Sequence, residues 1–180
     1  IFPAAATAGT EFSVTAVTTS VVQPRVAADA DGDFVVSWKD AITNQLLVRG
    51  FDKSGTPTIP QTYVALLDVA ARGDLAMDAD GDFALSWGNW NTFVTPNVID
   101  SFVRRYDRTG TQIVASSQFN SSVDGGESSS SIAMDADGDM VVVWEPDYDG
   151  TDGDNDNSYF RRYQGPEDVD LALSTSASPE

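Results

Sequence analysis

The chain repeats itself three times, and that repetition leaves few folds open to it. Three stretches align without gaps: Ala28-Asp-Ala-Asp-Gly-Asp-Phe-Val-Val-Ser-Trp38, Met77-Asp-Ala-Asp-Gly-Asp-Phe-Ala-Leu-Ser-Trp87 and Met134-Asp-Ala-Asp-Gly-Asp-Met-Val-Val-Val-Trp144. A second motif follows each one: Val48-Arg-Gly-Phe-Asp-Lys-Ser-Gly55, Val103-Arg-Arg-Tyr-Asp-Arg-Thr-Gly110 and Phe160-Arg-Arg-Tyr-Gln-Gly165. An aromatic in a strand-like run precedes each, at Phe12, Tyr63 and Phe119, which lie 17, 15 and 16 residues before the first Asp. Constant order at near-constant spacing marks a repeated supersecondary unit. The units span residues 11–52, 58–107 and 111–164, flanked by an N-terminal extension at 1–10 and a C-terminal tail at 165–180.

Each unit divides into four short strands. The first surrounds the aromatic, at Glu11–Val17, Thr62–Leu67 and Ile113–Asn120. The second runs into the aspartates, at Arg25–Ala28, Asp74–Met77 and Ser131–Met134. The third leaves them, at Phe34–Trp38, Phe83–Trp87 and Met140–Trp144, and the fourth carries the arginines, at Leu46–Phe51, Ile99–Tyr106 and Ser158–Tyr163. Asp-Gly between two apolar runs predicts a tight hairpin in which both turn residues take positive φ. The third strand is almost wholly apolar, as a strand covered on both faces should be, so its closing Trp is expected to pack between sheets. No segment combines a 3.6-residue period with helix caps, so no helix is expected.

The fold class that follows is all-β: three tandem four-stranded antiparallel sheets, like the blades of a β-propeller. Three blades are too few to close a ring, so the ring is completed by oligomerisation or the sheets form an open stack. Either way, association with a second copy or with neighbouring repeats is expected, because exposed sheet edges must pair.

The paired motifs Asp-Ala-Asp-Gly-Asp-Phe-Val-Val-x-Trp and Arg-Arg-Tyr/Phe-Asp-x-x-Gly resemble a tandem repeat of large secreted bacterial proteins, from about Gly9 to Gly165. More distantly they resemble the FG-GAP blades of integrin-α-type propellers, although here Gly stands fourth in the acidic loop. The resemblance implies an extracellular, non-catalytic, structural or adhesive module.

Charge narrows the partners. There are 28 acidic residues against 10 basic ones, for a net charge of −18, which repels nucleic acid and anionic lipid and attracts cations. Aspartate supplies 23 of the acids; it suits turns and hard cations such as calcium, and it also suits a saline medium. With no Cys and no His, thiolate metal sites, the usual zinc ligand and a Ser-His-Asp triad are all excluded. No apolar run is long enough for a membrane helix.

Three carboxylate triples are candidate calcium ligands: Asp29, Asp31 and Asp33; Asp78, Asp80 and Asp82; Asp135, Asp137 and Asp139. The competing reading is a plain hairpin with solvated carboxylates. The segment from Asp147 to Asn157 packs Asp147, Asp149, Asp152, Asp154 and Asp156 into ten residues, and a divalent ion would relieve their repulsion. Arg49, Arg104, Arg105, Arg161 and Arg162 recur at one place in each unit and are expected to pair with aspartates nearby. Trp90, Phe93, Tyr148 and Tyr159 are the aromatics that a glycan-binding propeller would use. Asp168–Ser174 alternates like an unpartnered strand and is expected to add to the edge of another subunit.

Overall fold

The computed structural model describes residues 10–15, 20–67, 72–91, 98–120, 130–144 and 158–165. The expectation of three antiparallel sheets and no helix holds across them. The first sheet is a meander of β1 (Val21–Ala28), β2 (Phe34–Asp40), β3 (Gln45–Phe51) and β4 (Pro57–Leu66). The second repeats it with β5 (Gly73–Met77), β6 (Phe83–Asn91), β7 (Val98–Tyr106) and β8 (Gln112–Gln118). In the third, β9 (Ser130–Met134), β10 (Met140–Trp144) and β11 (Tyr159–Tyr163) pair in order, and among the described residues there is no fourth strand.

Sheet and sequence unit are out of phase by one strand. Thr62–Leu67, at the head of the second unit, lies in β4 and closes the first sheet against β3; Gln112–Gln118 closes the second sheet in the same way. The cause is the Asp-x-x-Gly tail of the arginine motif, which is a hairpin turn rather than a boundary. The Asp52 carboxylate accepts the amide N–H groups of Ser54 (2.9 Å) and Thr56 (2.8 Å), and Gly55 follows at φ 84°. Asp107 does the same for Thr109 and Thr111, with Gly110 at φ 81°. Residues 10–15, at the head of the first unit, form no ladder. They lie against the first sheet, with Phe12 touching Phe34 and Phe51.

The sheets pack face to face in chain order, with β1 beside β5 and β5 beside β9. Alternation along the third strand of each unit decides which residue enters which seam. Between the first and second sheets, Val35, Leu46, Val48 and Val64 meet Leu75, Phe83, Leu85 and Trp87. Between the second and third, Ala84, Val103 and Phe119 meet Ile132, Met140, Val142 and Trp144. A third cluster joins Val36, Trp38, Leu47 and Phe51 to Val14 of the N-terminal segment. Trp87 and Trp144 are therefore buried in the seams in front of their own sheets, as expected, whereas Trp38 is buried against the N-terminal segment; each such side chain contributes on the order of 2–3 kcal/mol by leaving water.

The aromatics before each unit are not equivalent in space. Phe119 is buried in a seam, whereas Phe12 and Tyr63 are half-exposed, and Val14 and Val64 occupy the places that Phe119 fills. β2 is buried almost throughout, because the N-terminal segment covers the face that the second sheet does not, whereas β10 alternates, with one face against the second sheet and no described residues packed on the other.

Candidate functional site

The repeated aspartates sit at one end of the sheets, in the loops joining β1 to β2, β5 to β6 and β9 to β10. Ala28 pairs with Phe34, which leaves a five-residue loop rather than a two-residue turn. Only the glycine of each loop has positive φ: Gly32 at 90°, Gly81 at 92° and Gly138 at 83°. The prediction that both Asp and Gly take positive φ is thus corrected, and the first aspartate is the reason. Asp29 Oδ1 accepts the amides of Asp31 and Asp33, each at 2.9 Å, which holds the residues between in ordinary turn conformations. Asp78 Oδ1 accepts from Asp80 and Asp82 (3.0 and 2.9 Å), and Asp135 Oδ1 from Asp137 and Asp139 (3.2 and 3.0 Å).

The third aspartate reaches sideways to the residues just beyond the arginine strand of the unit, which in the first two units form a hairpin turn. Asp33 Oδ1 accepts the Lys53 amide (2.9 Å), Asp82 Oδ1 the Arg108 amide (3.1 Å) and Asp139 Oδ1 the Gly165 amide (2.7 Å). Two of the three carboxylates in each triple are therefore spent on backbone N–H groups of their own sheet. Among the described residues no group of three carboxylates lies close enough together to hold a metal ion. Asp147, Asp149, Asp152, Asp154 and Asp156 lie outside the described residues, as do Phe93, Tyr148 and Asp168–Ser174.

The loops do meet across a seam. A cavity of about 360 Å³ between the first two sheets is lined by Asp29, Asp31 and Asp33 on one side and by Asp80, Gly81 and Arg108 on the other. At the next seam Arg105 lies across the corresponding junction. Its guanidinium meets Asp78 Oδ2 at 3.2 Å, lies 3.8 Å from Asp82 Oδ2, and donates to the Gly138 carbonyl of the third sheet at 3.0 Å. Both Arg105 and Asp78 are buried. Burial pushes the Asp78 carboxyl above the ordinary carboxylate range, and the neighbouring Asp82 charge adds to this; the Asp80 and Asp82 amides and Arg105 oppose it. Asp52 and Asp107, held chiefly by the hydroxyls of Ser54 and Thr109 and then by backbone amides, lie below that range.

The arginines only partly meet their expected partners. Arg105 pairs with Asp78 and Asp82, and Arg162 with Asp139. Arg49 and Arg104 instead reach carbonyls of the segment in front of their sheet, Val14 O at 3.1 Å and Val64 O at 2.7 Å. Both sit over aromatic rings, Arg49 over Phe51 and Arg104 over Trp87. A backbone carbonyl carries no sequence signature, which is why these bonds escape a reading by charge. Nor does the sequence pattern single out the row through Asp74, which pairs with Arg25 at 3.2 Å and accepts the Ser131 hydroxyl and Ile132 amide of the third sheet. Tyr159 stacks on Trp144.

No known family and no curated protein matches the chain. Among solved structures it is similar to an α-L-arabinanase of Penicillium chrysogenum determined with arabinobiose, at 12% identity and a TM-score of 0.49. That match covers 79% of this chain and 42% of the arabinanase. It is also similar to a Dyadobacter fermentans protein of unknown function, at 10% identity and a TM-score of 0.35, over 81% of this chain and 66% of that one. The chain thus spans less than two thirds of each structure. Similarity this low transfers no activity.

Proposed function

We propose that this chain is a non-catalytic, extracellular structural or adhesive repeat module that associates with itself. The observation that carries this reading is where the repeated carboxylates go. In all three sheets the first aspartate holds its own loop and the third ties that loop to the residues just after the arginine strand. A constellation built three times and spent on backbone amides is a fastening. An active site needs groups left available to a substrate. Calcium belongs to this proposal chiefly through the acidic Asp147–Asp156 segment. Sedimentation of the purified chain over a range of concentrations, with and without a calcium chelator, tests both parts. Concentration-dependent assembly is expected, loosening on chelation. A monomer at every concentration refutes the self-association; an assembly indifferent to the chelator refutes the calcium.

A carbohydrate-binding propeller is the second reading. It is favoured by a groove of about 350 Å³ where half-exposed Tyr63 and Leu66 face Phe102, Arg104 and Asn89. Titration of neutral oligosaccharides against tryptophan fluorescence decides it, because Trp87 lines the same groove.

A further inference from the structure

Among the described residues, the first and third sheets expose complementary outer faces. Within the chain, the rear face of each sheet packs on the front face of the next. Val48 (opposite Ser37) and Val103 (opposite Ser86) occupy the same rear-face place and are 1% and 2% exposed. Phe160, opposite Val143, holds that place in the third sheet and is 74% exposed. On front faces the matching trio is Val26, Leu75 and Ile132, opposite Val36, Leu85 and Val142. Leu75 and Ile132 are 7% and 6% exposed beneath a preceding sheet, and Val26 is 67% exposed. The described chain therefore exposes the rear face of the third sheet at Phe160 and the front face of the first at Val26, beside Trp38 and Leu47 that Val14 already covers.

Among the described residues the third sheet ends at β11, and a fourth strand for it has a matching donor. β4 and β8 come from the heads of the second and third units, and Glu11–Val17 is the head of the first. Its described part already sits on the first sheet as β4 sits on the second: Val14 O takes Arg49 as Val64 O takes Arg104. After β11 the sequence departs from the pattern of the two hairpin turns. Gln164 replaces the capping Asp52 and Asp107, Pro166 replaces the N–H donors Ser54 and Thr109, and Glu167 replaces Gly55 and Gly110 with their positive φ.

We infer that a second copy docks head to tail, laying its first sheet on the rear face of the third sheet and adding its Glu11–Thr15 segment to β11 as the fourth strand. The junction then repeats the two seams inside the chain. Two such junctions close a pair of copies, and a rotation that does not close gives a filament. This deepens the self-association proposed above.

The register carries over from the chain's own pairs. Phe102 faces Gln118 and Leu47 faces Tyr63, so Tyr159 should face Ser13 of the next copy. The native chain has no cysteine, so Ser13→Cys and Tyr159→Cys are clean probes in the full chain. Mixing the two single variants under mild oxidation should give a disulfide-linked dimer roughly tenfold faster than either variant alone, because docking raises the local thiol concentration. Phe160→Glu and Val26→Glu each spoil one face. Each alone should remain monomeric, and their mixture should give dimers and nothing larger, since one good junction survives between them. Wild-type assembly with no faster cross-linking in the mixture overturns this interface and leaves self-association standing. A wild-type chain that stays monomeric and does not cross-link overturns both.

Discussion

Replacing Arg105 by Met tests the seam between the second and third sheets at its most demanding point. The substitution keeps most of the apolar stem and removes the charge from beside buried Asp78. It also removes the donor to the Gly138 carbonyl. Breaking a buried pair by deleting one partner costs roughly 3–5 kcal/mol. The lower end, about 3 kcal/mol, is expected here, because Asp78 Oδ1 keeps both of its amide donors. With a urea slope of about 2 kcal/mol/M, the midpoint should fall by about 1.5 M at neutral pH. Fluorescence follows it directly, since Trp87 and Trp144 lie in the seams on either side of the second sheet. The deficit should shrink on acidification. The Asp78 pKa is already raised in the folded state, so protonated Asp78 favours folding at low pH, and this contribution is lost as pH rises through the folded pKa. Removing Arg105 raises that pKa further, so the variant is hurt more at pH 7 than at pH 4. Adding Asp78→Asn, which removes the stranded charge and keeps the Oδ1 acceptor, should restore part of the loss. A midpoint shift too small to measure, or a double variant no better than Arg105→Met, would show that the pair does not fasten the sheets.

Three further outcomes are expected. Gly138→Ala places a Cβ against the Arg105 guanidinium at a positive φ, and should cost about 2 kcal/mol, seen as a lower melting temperature. Asp29→Ala or Asp135→Ala strips two amides of their acceptor and should cost about 1 kcal/mol each, whereas Asp31→Ala should stay within about 0.5 kcal/mol; equal effects in urea melts would contradict the division of labour in the loop. The depressed pKa values of Asp52 and Asp107 mean that their stabilisation is full above the unfolded carboxylate pKa and is lost as pH falls through the folded values. The Asp52→Asn, Asp107→Asn double variant should therefore lose less stability than wild type between pH 5 and pH 2, which acid titration followed by circular dichroism will show.

Sequence alone determined the sheet content, the three-fold repetition, the buried tryptophans and the placing of the acidic loops. All of these follow from local pattern: apolar alternation, Asp-Gly turns and spacing. Tertiary structure decided what pattern cannot express. Asp29 and Asp33 read as two similar carboxylates, yet one closes its own loop and the other crosses to Lys53, because a carboxylate's partner depends on which N–H the fold brings near. Arg49 and Arg105 lie in the same motif, yet one reaches a carbonyl and the other a buried aspartate. The phase of the sheets was decided in the same way. Thr62–Leu67 looks like the start of a unit, and only the turn held by Asp52 folds it back as the last strand of the sheet before it.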